Sequence, residues 1–445
     1  MHMQASLTAS KSNALRGVVR VPGDKSISHR ALILGALATG STKITGLLEG
    51  EDVIATAEVL KSLGAAIEKK DDAWIVFGRG VGGLNRSVKE LDFGNSGTGA
   101  RLMMGVIAGQ DTRARFTGDA SLSGRPMGRV LTPLKLMGLQ VEGSSDTLPL
   151  TLSGTKDLLP IEYELPVPSA QVKTAVLLAG LHAPGTTCVI ENEPTRDHTE
   201  RMLRHFGAKM TITKVNGQTR ICVAGHAELT GNDVAVPGDP SSAAFLAAAA
   251  LVCEGSDITI EGALVNPTRI GFYITLREMG ANLKFENERE ENGEPIADIH
   301  VISGPLKGVT VPAGRAPSMI DEYPILAVVA AYASGETRME GLGELRVKES
   351  DRLASTLAGL TACGVDAQAD GNVLIVRGAD SVPGGGHIET HMDHRIAMAF
   401  LILGLGAQTS VSIDNASVIA TSFPQFAGLM KGLGADIVET GNKPA

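Results

Sequence analysis

A Gly that closes a hydrophobic helix recurs six times along this 445-residue chain, in Leu63-Gly64-Ala65, Met137-Gly138, Phe206-Gly207-Ala208, Met279-Gly280-Ala281, Cys363-Gly364 and Leu433-Gly434-Ala435. Solenoid repeats have periods of roughly 20–50 residues; the spacing here is roughly seventy to eighty, so each unit is a larger module. Within a module a polar turn opens a helix rich in Ala, Leu and Gly, and a short β-like run follows. An amphipathic helix then ends at the Gly, and two more strands close the unit. The second helices have helical period, with Ala57, Leu60 and Leu63 in one and Leu131, Leu134 and Met137 in another. The strands alternate, as in Asp298-Ile299-His300-Val301-Ile302 and Val373-Leu374-Ile375-Val376. A chain of this length exceeds one ordinary core, so the cadence predicts two α/β domains of three modules each.

An internal echo marks the boundary. Val21-Pro22-Gly23-Asp24-Lys25-Ser26-Ile27-Ser28-His29-Arg30 is answered by Val236-Pro237-Gly238-Asp239-Pro240-Ser241-Ser242-Ala243-Ala244. The first copy carries Lys25, His29 and Arg30 where the second runs through Pro240, Ala243 and Ala244. A frame kept for folding, with cations in one copy, is the pattern of a binding site built on a repeat. The domains are expected over 21–235 and 236–445, with residues 1–13 and 440–445 read as loose ends.

Composition narrows the function classes. A net charge of −9 argues against nucleic acid as a partner, while small anions are held by local cations whatever the net charge. The N-terminal residues have no basic stretch followed by an apolar one, so no signal peptide is expected, and the longest apolar run, Ala243 to Cys253, is far short of a membrane span. Cys188, Cys222, Cys253 and Cys363 are far apart and form no CxxC. Neither a disulfide framework nor a zinc site is therefore expected, and a reducing cytoplasm fits. His391-Met392-Asp393-His394 lacks further ligands at usable spacing, so no metal is expected there.

The helix openings carry the chemistry. Gly23-Asp24-Lys25-Ser26, Gly94-Asn95-Ser96-Gly97-Thr98, Ser169-Ala170-Gln171, Asp321-Glu322 and Asp393-His394-Arg395 read as N-cap turns, and several such helices aimed at one place make an anion site. Lys25, Arg30, Arg101, Arg125, Lys173, Arg196, Lys348, Arg352 and Arg395 stand at or near these turns, although Lys173 reads equally as a solvated surface charge. Arginines suit bidentate recognition of phosphate and carboxylate. The run Arg346-Val347-Lys348-Glu349-Ser350-Asp351-Arg352 reads either as part of that site or as a helix face with Lys348–Asp351 and Arg352–Glu349 pairs. A carboxylate held among cations is ionised and can accept a hydroxyl proton.

With these residues in view the chain resembles the 5-enolpyruvylshikimate-3-phosphate synthase family. The resemblance rests on Pro22 to Arg30, Leu91 to Thr98, Arg125-Pro126-Met127, Arg346 to Arg352 and Asp393-His394-Arg395, and runs through all six modules. Ser169-Ala170-Gln171 and Pro194-Thr195-Arg196-Asp197-His198 resemble the class II bacterial branch. The resemblance implies an α/β fold of two similar domains, each of three βαβαββ modules around a pseudo-threefold axis, the inside-out α/β barrel. It places residues 1–20 with 236–445, makes 21–235 mainly a shikimate 3-phosphate domain, and puts phosphoenolpyruvate between the two. The implied reaction moves the enolpyruvyl group of phosphoenolpyruvate to the 5-hydroxyl of shikimate 3-phosphate in chorismate and aromatic amino-acid biosynthesis, without cofactor. Lys25, Ser26, Arg30, Ser169, Ala170, Gln171, Arg196, Asp321 and Lys348 would then hold shikimate 3-phosphate. Lys25, Asn95, Gly97, Arg125, Gln171, Arg352 and Arg395 would hold phosphoenolpyruvate. Asp321 would take the hydroxyl proton, with Glu349 and Lys25 as candidates at the methylene carbon.

The resemblance implies a monomer, and because Gly97 lacks the alanine methyl that excludes glyphosate in some class II relatives, it implies a glyphosate-sensitive enzyme. One departure is Thr421, where many relatives carry a Lys before Thr-Phe-Pro. Two other readings compete. A UDP-N-acetylglucosamine enolpyruvyl transferase generally has a reactive Cys in the loop that here reads Gly118 to Arg125, with no Cys. A non-catalytic anion-binding paralogue would have no need of Asp321 and Glu349.

Overall fold

The computed structural model describes residues 6–85 and 89–440. The outermost parts of the two predicted loose ends therefore lie outside the described residues. The chain divides into two compact units, one of residues 1–22, 237–289 and 295–445, the other of residues 23–236 and 290–294.

Each unit repeats one module three times. In the module spanning Glu162–Ala224, the strand Glu162–Glu164 runs parallel to Thr186–Glu191, which pairs antiparallel with Gln218–Ala224, itself paired with Met210–Val215. The helix Ala170–Gly180 joins the first two strands, and His198–His205 leads from the second to the hairpin. Five further four-stranded sheets have the same layout. The second helix of every module ends where the cadence predicts. Gly64, Gly138, Gly207, Gly280, Gly364 and Gly434 all have φ between 74° and 119°, left-handed backbone that releases the chain into the next strand.

The first helix of each module is buried almost all round. All thirteen residues of Pro240–Val252 are buried, as are ten of twelve in Gly97–Ala108. Helices apolar on every face belong in a core, and their small residues set the spacing. A Cβ on Gly105 would stand 2.2 Å from the carbonyl oxygen of Ala175, so the helices Gly97–Ala108 and Ala170–Gly180 approach backbone to backbone.

Three strands depart from sequential order. Ser6–Ser10, read from sequence as a loose end, is an inner strand between Val411–Ile413 and Asp436–Thr440. Alternating burial of Leu7 and Ala9 explains its place, and Ser and Thr fill the other face. Arg16–Val19 is parallel to Asp257–Leu264, and Val234–Ala235 is parallel to Ser41–Thr45. Each echoed Pro-Gly-Asp turn thus follows a strand belonging to one unit and opens a helix belonging to the other.

The cysteines correct another expectation. Cys188 and Cys222 are joined by a disulfide, their Cα atoms 4.1 Å apart. Antiparallel pairing places them directly opposite each other despite 34 residues of separation, a juxtaposition that CxxC spacing cannot signal. Cys253 and Cys363 are buried free thiols.

Candidate active site

In the unit of residues 23–236, the helix Lys25–Leu37 begins at Asp24, whose carboxylate accepts from the Ile27 N–H at 2.7 Å. Lys25, the first helical residue, is ion-paired with Asp52, which is only 4% exposed. Asp52 lies in the first turn of the helix Glu51–Ser62, where a carboxylate complements the helix dipole. Nothing in its spacing marks Asp52 as a partner of Lys25, since an acid in the first turn of a helix is accounted for by the dipole alone. His29 is fully buried against the Thr56 hydroxyl at 2.8 Å. Burial, reinforced by Lys25 and Arg30, drives its pKa well down, so the imidazole is neutral. Ser26 is half-buried beside them, and its carbonyl accepts from Arg30 Nη1 at 3.0 Å.

Arg30 is 4% exposed, and its Nε and Nη2 donate to Thr199 at 2.7 Å and Thr174 at 2.8 Å. Burial pulls Arg30 down to about 10, with Glu200 and Asp24 opposing it, and Arg196 is near enough to add repulsion. Ser169 caps the helix Ala170–Gly180. Gln171, one residue inside it, donates to Thr98 at 3.0 Å and accepts from Arg101 at 2.9 Å. These bonds bring the openings of two helices together. Arg125 Nη2 donates to Asn95 Oδ1 at 2.6 Å and to Ser121 at 3.1 Å, while Asn95 Nδ2 donates to Asp119 at 2.7 Å. Gly97 begins its helix beside these groups. A Cβ there would stand 3.0 Å from Arg101 Nη1 and 3.2 Å from Arg125 Nη1.

Lys173 corrects the surface reading. Its side chain is 1% exposed and lies 2.6 Å from Glu200 and 3.0 Å from Glu191, both buried. Glu191 also accepts from Thr195, and Thr199 shares a 2.6 Å hydroxyl contact with Thr174. This network flanks the half-buried Arg196 and ties its loop to the helix that carries Gln171. Asp197, His198 and Glu294 come close enough to suggest a metal cluster. Arg201 already lies among them, 2.8 Å from Asp197 and 3.8 Å from Glu294, while His198 Nδ1 meets Glu294 at 2.7 Å. A guanidinium in that position makes it an ion-pair network.

The other unit gathers a second cluster. Arg352 is 1% exposed and meets Asp393 at 2.7 Å, Asp321 at 3.2 Å and Glu349 at 2.5 Å. Burial opposes its charge, but Asp393, Glu349 and Asp321 outweigh burial and hold its pKa above the ordinary arginine value. Lys348 and Arg395 each lie 3.9 Å from the same Asp321 oxygen, and Arg395 Nη1 donates to the Asp321 carbonyl at 3.4 Å. Of the two pairs read for a helix face, Arg352–Glu349 forms. Asp351 instead pairs with Arg346 at 3.1 Å and caps the helix Arg352–Ala362. The chain turns between Val347 and Arg352, so Lys348 is not on that helix. Thr421 meets His394 Nδ1 at 3.1 Å.

Each unit therefore gathers cations and polar groups near helix openings, and the second adds a carboxylate, Asp321, with three cations around it. The three-module units have the fold of the enolpyruvyl transferases. An enolpyruvyl transferase of Streptomyces tendae, NikO, shares it at TM-score 0.76 and 19% identity, covering 99% of this chain and 100% of its own. EPSP synthase of Acinetobacter baumannii matches at TM-score 0.87 and 44% identity over 98% of this chain and 100% of its own. The 3-phosphoshikimate 1-carboxyvinyltransferases of Parvibaculum lavamentivorans and Cereibacter sphaeroides are each 58% identical, covering 98% and 97% of both chains respectively. Residues 9–430 match the sequence model of EPSP synthase (3-phosphoshikimate 1-carboxyvinyltransferase), and the chain belongs to this family.

Proposed function

We propose that this transferase moves the carboxyvinyl group of phosphoenolpyruvate to the 5-hydroxyl of shikimate 3-phosphate, releasing inorganic phosphate. The observation that carries the reading is the Asp321 carboxylate, 3.2 Å from Arg352 and 3.9 Å from both Lys348 and Arg395. A proton acceptor beside three cations suits a hydroxyl that attacks a phosphorylated, carboxylated partner. Asp321 takes the hydroxyl proton as the oxygen bonds to C2 of phosphoenolpyruvate, and a proton is added at C3 from Lys25 or Glu349. Loss of that C3 proton with expulsion of phosphate restores the double bond as an enol ether.

Lys25, Ser26, Arg30, Ser169, Ala170, Gln171, Arg196 and Lys348 hold shikimate 3-phosphate in this reading, joined by Asp321. Lys25, Asn95, Gly97, Arg125, Gln171, Arg352 and Arg395 hold phosphoenolpyruvate. The enzyme acts as a cytoplasmic monomer, and size-exclusion chromatography with light scattering tests that state. No helix among the described residues is long and apolar enough to cross a membrane.

Phosphate release from phosphoenolpyruvate should require shikimate 3-phosphate. Release with UDP-N-acetylglucosamine instead would establish the competing transferase reading, and no release with either would establish a binding protein. Glyphosate should inhibit competitively with phosphoenolpyruvate. In Gly97→Ala the new methyl crowds the Arg101 and Arg125 guanidinium ends, which must yield by a few tenths of an ångström. Overpacking of this size costs about 1–3 kcal/mol, so the KM for phosphoenolpyruvate should rise about tenfold and the glyphosate inhibition constant by more. Wild-type resistance to glyphosate would remove this assignment of Gly97.

A further inference from the structure

The echoed turn at Asp239 has a cation after all, and it is turned inward. Asp239 caps the helix Pro240–Val252, accepting from the Ser241 N–H at 2.7 Å and the Ser242 N–H at 3.4 Å. Arg269, which precedes the next helix Gly271–Glu278, donates through Nη2 to the Ser241 hydroxyl at 3.1 Å and lies 3.5 Å from the Asp239 carboxylate. The Ser241 hydroxyl donates in turn to the carboxylate of Glu322. Tyr273 closes the cluster, donating to the Pro240 carbonyl at 2.6 Å. Glu322, Arg269 and Ser241 are each 2% exposed and Asp239 is 5% exposed. In the first copy the cation, Lys25, sits on the first helix and its acid, Asp52, on the second. Here the acid is the N-cap of the first helix and the cation precedes the second, so the pair is internal.

Glu322 connects this cluster to the reaction. It stands at the start of the helix Tyr323–Ala331, where no side chain caps the first turn. Its N–H donates to the Met319 carbonyl at 3.0 Å, and its carbonyl accepts from Leu326 at 2.9 Å. Its side chain enters the Ser241–Arg269 cluster, while that of the adjacent Asp321 enters the Lys348–Arg352–Arg395 cluster. Two consecutive acids are thus committed to different networks, and the buried one anchors the backbone that carries the other. Burial, with Glu322 and Asp239 adding to it, pushes the Tyr273 hydroxyl well above its ordinary pKa, as expected beside two acids.

We infer that Glu322, held by the Ser241 hydroxyl that Arg269 in turn supports, is a positioning residue that sets where the Asp321 carboxylate stands. The inference rests on Asp321 as the proton acceptor. Displacement of a reacting group by about 1 Å costs on the order of a hundredfold in rate, and releasing Glu322 permits a shift of that order. In the full-length enzyme, Glu322→Ala should lower kcat about 10–100-fold, with KM for both substrates within about threefold. Glu322→Gln still accepts the Ser241 hydroxyl and should stay within about fivefold of wild-type kcat. Ser241→Ala should lower kcat about 3–10-fold and also lower Tm, since the buried Glu322 carboxylate loses its donor, but it removes less than Glu322→Ala and decides the matter if that variant does not fold. Wild-type kcat in Ser241→Ala and Glu322→Ala, with Asp321→Asn impaired, overturns the inference. So does a loss shared equally by kcat and KM with no rescue by Gln, the mark of general disruption. Full activity in Asp321→Asn would instead overturn the acceptor assignment, and this inference with it.

Discussion

Lys25→Met is expected to lower kcat/KM by about 10²–10³-fold, the usual consequence of removing one preorganised charge donor from a site of charge development. It should also lower Tm, because the change leaves the Asp52 carboxylate, 4% exposed, without its ion-pair partner. The two effects separate in a double variant. Lys25→Met/Asp52→Asn should recover most of the lost Tm, since an amide in that place carries no uncompensated charge, while turnover stays low. Steady-state kinetics and thermal unfolding on the three proteins measure both. Turnover within about tenfold of wild type in either Met variant would show that Lys25 is not in the site.

Lys173→Met should produce the largest loss of stability. Removing one member of a buried ion cluster typically costs about 3–5 kcal/mol, because the partner charges remain buried, and here two glutamates are left. For a unit of this size that is a fall in Tm on the order of 10 °C. The loss should depend on pH. Burial raises the pKa of Glu200 above its ordinary value, and Lys173 opposes that rise. An acid whose folded pKa is raised binds a proton in the folded chain that the unfolded chain has released. Its contribution to stability is therefore greatest at low pH and declines as pH rises through the folded value. Without Lys173 the pKa climbs further, so the deficit of Lys173→Met should be smaller near pH 5 than near pH 7.5. An equal or larger deficit at pH 5 would show that Lys173 does not offset the buried carboxylates. The loop carrying Arg196 is held by the same cluster, so KM for shikimate 3-phosphate should rise in this variant more than KM for phosphoenolpyruvate.

Much of the architecture could be read from local pattern. The six glycines have the left-handed backbone that a helix C-terminus favours, and the polar turns at Asp24, Ser96, Ser169, Asp239 and Asp393 are N-caps. These features depend on a few consecutive residues, so spacing reveals them. At Asp321-Glu322, by contrast, no side chain caps the helix, and both acids are drawn into ion and hydrogen-bond networks. Lys173 and Arg346–Arg352 show where pattern stopped. A lysine one turn into a buried helix and a lysine on a surface look alike in a linear string. The choice between Lys348–Asp351 and Lys348–Asp321 depends on where the chain bends after Val347.

By itself, then, the sequence determined the module, its six-fold repetition, the two echoed turns and the residue types at each helix opening. Those follow from backbone preferences and hydrophobic period, which act within one turn of helix or one strand. Only the tertiary structure decided which charges meet. It brought Lys25 to Asp52, Lys173 to Glu191 and Glu200, Arg269 to Asp239 and Ser241, and three cations to Asp321. It also placed Ser6–Ser10 and Arg16–Val19 in sheets completed more than two hundred residues later. The physical reason is that a buried ion or an unpaired strand edge must find its partner wherever packing places one. Packing is a property of the whole chain, so sequence separation does not limit it.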